Sequence, residues 1–156
     1  EALGRRIAVV DADGTAYASG IVLMLLEAVD ELTVITPFET AFPHVGAGYD
    51  RPLLFERLGA HPGFDRRVSQ RVERVGAGEL DLSDAITGRR VTLEGIDSVV
   101  AIEPRAPMAV SGLDGIGADT RIVTIGDAFA PRTIDAAIFE AVELAYDVAG
   151  MATLRG

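Results

Sequence analysis

Apolar residues along this chain change period several times, and each change marks an element. Ile7, Ala8, Val9 and Val10 form an unbroken apolar run, the pattern of a strand buried on both faces of a parallel sheet. Residues 11–15 are polar, contain one glycine and read as a turn. Residues 16–29 then predict a helix whose centre, Ile21 to Leu26, is apolar all round. Such a helix packs on a sheet and against something else as well. Leu32 to Ile35 repeats the buried-strand pattern. Together these pieces predict a βαβ unit with a right-handed crossover.

Residues 36–49 carry Pro, Gly and aromatics and read as a loop, followed by a short helix over 51–58. From Phe64 onward the apolar residues alternate: Val68, Val72 and Val75, then Leu80 and Leu82, then Val91 and Leu93. Glycine-rich turns at 76–78 and 87–88 divide them, which predicts a three-stranded antiparallel meander. Residues 98–102 read as a strand returning to the first sheet, and 103–119 as a loop. Ile122 to Ile125 is a last apolar-rich run, read as a buried strand. It leads through Gly126-Asp127 and Pro131-Arg132 into a helix ending near residue 149. Ile134, Ile138, Val142 and Ala145 fall at the spacing of a buried helix stripe.

Composition narrows the chemistry. The chain has 156 residues, 49% of them hydrophobic, so a packed core is expected rather than disorder. A net charge of −10 makes nucleic acid an unsuitable partner, because phosphate binding needs a basic face. With no cysteine, the chain cannot supply a disulfide, a thiolate nucleophile or the ligands of an iron–sulfur cluster. His44 and His61 are not at metal-ligand spacing. No signal peptide or membrane span is read from the sequence, so a cytoplasmic location is expected.

Two carboxylates stand where a strand meets a helix. Asp127 follows the apolar run at 122–125 and precedes the last helix, where a carboxylate can take a ligand's hydroxyls and helix N–H groups attract anions. It can equally act as a helix cap. Arg132 at the helix start opposes the helix dipole, which points to an anion or a neighbouring domain, with plain surface placement as the alternative. Arg105 is open between a phosphate and an acidic side chain as partner. The first turn, Asp11-Ala12-Asp13-Gly14-Thr15, has one glycine where the dinucleotide fingerprint has three, and Asp11 and Asp13 put negative charge where phosphates would sit. A structural turn and a pyrophosphate site are both open there, with Asp11 and Gly14 as the candidates. Asp-x-Asp-Gly-Thr after a strand also resembles the nucleophile motif of haloacid-dehalogenase-type phosphatases, with Asp11 attacking phosphorus, Asp13 as acid/base and Mg²⁺ holding the substrate. The lysine that normally balances such a site is absent, since all 14 basic residues are arginine.

Gly-Asp-Ala-x-Ala-Pro-Arg-x-Ile-x-x-Ala-x-x-Glu, from Gly126 to Glu140, closely resembles the C-terminal signature of the trimethylamine dehydrogenase, histamine dehydrogenase and 2,4-dienoyl-CoA reductase type flavoproteins. Residues 4–11 and 32–37 resemble the same family. The resemblance implies an α/β, Rossmann-like FAD/NAD(P)-binding fold with a parallel sheet, a three-stranded antiparallel meander and a C-terminal helix. It implies an NAD(P)/ADP-binding-type domain over 1–104 and, over 105–156, the closing segment of a flavin/ADP-binding-type domain. Its site residues would be Gly126, Asp127, Ala130, Pro131, Arg132 and Thr133, with Asp127 accepting from a ribityl or ribose hydroxyl and the 130–133 backbone near phosphate or flavin. The cofactor would be FAD or ADP, or NAD(H). FMN and an iron–sulfur cluster would lie on missing domains or on a barrel-bearing partner chain. Such a fragment or subunit would not be catalytic alone. The alternatives are an interaction module with a decayed nucleotide site and the Mg²⁺-dependent phosphatase.

Overall fold

The computed structural model describes residues 3–46, 50–107, 111–112, 115–117 and 119–150. The chain divides into two compact units, Glu1–Pro104 and Arg105–Gly156.

The first unit is built around β1 (Arg6–Asp11), which pairs in parallel with β2 (Glu31–Ile35) on one side. On its other side it pairs in parallel with β7 (Ser98–Ile102). Its continuous apolar run follows from this position, because a central parallel strand is covered on both faces. Ile7 and Val9 lie in one apolar cluster with Val22, Leu26, Leu32, Leu54 and Leu58. These bring α1 (Ala16–Leu26) and α2 (Asp50–Gly59) onto that face. Ala8 points the other way, into a cluster with Ile35, Leu80 and Leu82. Those two leucines come from the meander of β4 (Gln70–Val75), β5 (Glu79–Asp84) and β6 (Arg90–Glu94), which pair in that order. The unit is therefore layered as helices, parallel sheet and antiparallel sheet.

A fourth parallel strand was hidden in the sequence. β3 (Phe64–Arg67) pairs with β2, giving the order β3-β2-β1-β7. Phe64 thus belongs to the parallel sheet and not to the meander, which begins at Gln70. The segment reads Phe-Asp-Arg-Arg because it is an edge strand with its polar side chains in solvent. α1 ends at Leu26, three residues before the expected 29. The chain must turn there so that the Asp30 and Glu31 amides can donate to the Arg5 carbonyl at the start of β1.

The second unit departs further from expectation. α3 (Ile134–Val148) forms where predicted, but none of its described residues is buried. Ile134 is 80% exposed and Ile138 58%, so the expected buried stripe lies bare. Residues 121–125 form no strand, and Ile122 is 51% exposed. Apolar sequence makes a strand only where another strand satisfies its N–H and C=O groups. No strand is found among the described residues of this unit to do so. Among the described residues, no helix is long and apolar enough to cross a membrane.

Candidate functional site

In the second unit, Gly126–Ala128 form a single 3₁₀ turn rather than the end of a strand. Gly126 has φ +61°, a conformation that favours glycine. Its amide donates to Glu140 Oε2 at 2.7 Å, and its carbonyl accepts from the Phe129 and Ala130 amides. Glu140 also pairs with Arg132. The Glu140 carboxylate therefore holds the turn and the basic residue of the following loop against α3. It lies inside the signature, yet sequence reasoning gave it no role. The usable signal was an acid on a helix face beside a glycine-led turn.

Asp127 does not cap α3. The N-cap is Thr133, whose side chain makes no capping hydrogen bond. Asp127 Oδ2 accepts from Arg105 Nη1 at 3.1 Å, and Oδ1 from the Arg132 amide at 3.4 Å. Arg105 Nη2 also donates to the Arg132 carbonyl at 3.2 Å. Gly126, Asp127, Ala130, Pro131, Arg132 and Thr133 thus come together at the start of α3, with Arg105 joining them. Arg105 meets an acid, and Arg132 has its internal partner in Glu140. Asp127 stays exposed, so its oxygens remain within reach of hydroxyl donors. Beside this loop, an open groove of about 330 Å³ runs between residues 123–125 and α3, with Phe129, Glu140, Leu144 and Asp147 along it.

In the first unit, β1 delivers Asp11 to the carboxyl end of the parallel sheet, level with Ile102 of β7. The order β3-β2-β1-β7 makes this the point where the strand sequence reverses, the usual ligand position of an open α/β sheet. Asp11 is 0% exposed. Its Oδ1 accepts from the Gly14 amide at 2.7 Å and the Asp13 amide at 3.0 Å. Its Oδ2 is buried without a hydrogen-bond partner. Burial pushes the Asp11 carboxyl above the usual aspartate range. The two amides pull it back, the neighbouring Asp13 charge raises it and His44 lowers it. Gly14 sits at φ +69°, and a Cβ there would come within 2.9 Å of Phe38 and Pro43. Thr15 caps α1 by accepting from the Tyr17 amide, and its hydroxyl donates to Asp13. Thr36, fully buried, accepts the Phe38 amide with its side chain and serves the loop above. Among the described residues, no group of three or more His, Asp or Glu is placed to hold a metal ion.

No protein-family model matches the sequence, and no curated protein is significantly similar to it. Solved structures do match. Histamine dehydrogenase from Rhizobium sp. 4-9 superposes with a TM-score of 0.67 at 22% identity, over 86% of this chain and 22% of that one. A 2-naphthoyl-CoA reductase gives 0.69 at 17% identity, over 88% of this chain and 20% of that one. Thioredoxin reductase from Lactococcus lactis gives 0.64 at 15% identity, over 95% of this chain and 53% of that one. The chain thus spans about a fifth of the first two proteins and about half of the third. At these identities the likeness shows the fold: a Rossmann-like α/β architecture with an added antiparallel sheet and a C-terminal helix, shared with reductases and dehydrogenases.

Proposed function

We propose that this chain is the nucleotide-binding part of a trimethylamine-dehydrogenase-like flavin oxidoreductase, acting in the cytoplasm and not a redox catalyst by itself. The observation that carries this reading is the half-built state of the 105–156 unit. An apolar run at 121–125 with no paired strand among the described residues of its unit, a loop gathered around Asp127 and a helix with its apolar stripe bare are the last pieces of an α/β domain. Such pieces become stable when a parallel sheet takes the run as a strand and the helix covers that sheet. A flavin-bearing barrel domain or subunit that carries the rest of the flavin-type domain would supply that surface. FMN and an iron–sulfur cluster would belong to it, because this chain has no cysteine.

In this reading Asp127 accepts from a ribose or ribityl hydroxyl of FAD or ADP. The amides at the start of α3 face the phosphate or flavin, and Gly126 and Glu140 hold the loop in shape. NAD(H) is the remaining candidate for the same loop. A phosphatase is not supported, because Asp11 has no exposed surface with which to reach phosphorus. The competing reading is an interaction module without a working nucleotide site, and the internally bonded turn at Asp11 favours it for the first unit.

The test is thermal unfolding of the purified chain with ADP, FAD, NADH and NADPH. A ligand at a hundred times its dissociation constant adds about 2.7 kcal/mol. The expected result is stabilisation by FAD or ADP that Asp127→Ala removes. No stabilisation by any of the four would overturn nucleotide binding in favour of the interaction module.

A further inference from the structure

The first βα turn lies at the ligand position of its sheet, yet three successive amides, those of Ala12, Asp13 and Gly14, are already taken. The Ala12 amide donates to the Ile102 carbonyl at 2.9 Å, tying the turn to β7. The Asp13 and Gly14 amides converge on one oxygen of Asp11. In dinucleotide-binding turns, amides in these positions point at the pyrophosphate, which the helix N-terminus also favours. A carboxyl that takes two successive amides occupies the place of a phosphate oxygen. The turn is also locked from above. The Gly14 carbonyl accepts from the His44 amide at 3.0 Å, and Phe38 and Pro43 stand against Gly14. Asp11 is fully buried and its second oxygen has no partner, so the group has not been placed for solvent contact or surface charge.

We propose that Asp11 is a built-in replacement for a ligand phosphate: its carboxyl fills the anion pocket at the start of α1, so the first unit keeps the dinucleotide-binding architecture while turning pyrophosphate away. Asp11 is then the specificity-determining residue of this turn. Exclusion works by occupancy in either protonation state of Asp11, and by like-charge repulsion from Asp11 and Asp13 when they are ionised. The inference concerns the first unit only and stands or falls apart from the reading of Asp127.

The experiment follows the backbone amide resonances of Asp13 and Gly14 in the full chain while inorganic phosphate, and separately ADP, is added. The wild-type resonances should not move. In Asp11→Gly they should move saturably with phosphate, with affinity at least about tenfold above wild type, a difference of about 1.4 kcal/mol. Saturable movement of the wild-type resonances by phosphate or ADP would overturn the proposal. So would a folded Asp11→Gly chain whose Gly14 amide ignores phosphate. If Asp11→Gly does not fold, Asp11→Asn keeps an oxygen acceptor and decides the matter by pH. The wild-type Asp13 and Gly14 amides should titrate together with the Asp11 carboxyl, with the two titratable side chains facing it, Asp13 and His44, observed in the same spectra. Asp11→Asn should abolish that shared titration. Its persistence in the variant, or its absence in wild type, would overturn the assignment. Movement of the 126–133 amides on ADP addition reports on the other unit and leaves this result unaffected.

Discussion

Two stretches of this chain share one local pattern and end in opposite states. Each has a short apolar run, then an aspartate, a loop with glycine or proline, and a helix. In the first, β1 has strands on both sides and Asp11 is sealed beneath the turn. In the second, residues 121–125 have no strand beside them among the described residues of their unit, and Asp127 stands in solvent with Arg105. The comparison shows that the flanking sheet decides whether such an aspartate becomes part of the scaffold or stays available to a ligand. Burial in the first case comes from neighbours distant in sequence, β2, β7 and the loop at 38–44.

The largest expected effect contrasts the two apolar sets. Leu58→Ala or Leu32→Ala should lower the stability of the first unit by ~2–5 kcal/mol in urea unfolding, because both side chains are fully buried. Ile138→Ala, on the bare face of α3, should change the stability of the second unit by no more than ~0.5 kcal/mol. A large loss at Ile138 would mean that α3 is covered in solution and would break the comparison.

The turns should differ next. Gly14→Ala combines φ +69° with contacts at 2.9 Å to Phe38 and Pro43, and should cost ~1–3 kcal/mol. Gly126→Ala shares the positive φ, but its Cβ would meet only Ala137, at 3.4 Å. It should cost ~1 kcal/mol, mostly backbone strain. Differential scanning calorimetry of the two variants orders these losses.

Hydrogen exchange sharpens the contrast without mutation. Amides of β1 should exchange only on global opening of the first unit, whereas those of α3 should exchange through local opening and gain protection when a sheet-bearing partner is added. Equal protection in both would remove the distinction drawn here.

The smallest effect lies in pH dependence. The Arg6 and Arg5 amides hold the exposed Asp97 carboxyl below the usual aspartate range. Its contribution is therefore present above the ordinary aspartate pKa and lost as pH falls through the lowered one. Asp11 has the opposite sign, because its raised value lets the folded state take the proton first. Its stabilising contribution grows as pH falls from the raised value towards the ordinary one. Melting temperatures of Asp97→Asn and Asp11→Asn against pH should depart from wild type in opposite directions. Departures of the same sign would contradict the opposite environments assigned to the two groups.

Much of the first unit was legible in the residue pattern. The run at 7–10 announced a central strand because both of its faces are covered, and the alternation of Leu80 and Leu82 announced a half-buried one. β3 was not legible, because an edge strand of Phe-Asp-Arg-Arg carries almost no apolar signal. The helix stripe at Ile134, Ile138 and Val142 was legible as an apolar face, but nothing local says whether anything covers it. Gly126 to Thr133 lie together because they are neighbours in sequence. The contributions of Arg105 and Glu140 required the fold of the unit, since they lie 22 residues before Asp127 and 14 residues after Gly126.

By itself, then, the sequence determined the helices and the apolar strands of the first unit, because periodicity and turn residues act within a few positions. It also determined that the chain supplies no thiolate chemistry. Only the tertiary structure decided that Asp11 closes its own turn while Asp127 stays open. That outcome depends on hydrogen-bond donors, strands and apolar surfaces brought from elsewhere in the chain, and no local pattern encodes whether they arrive.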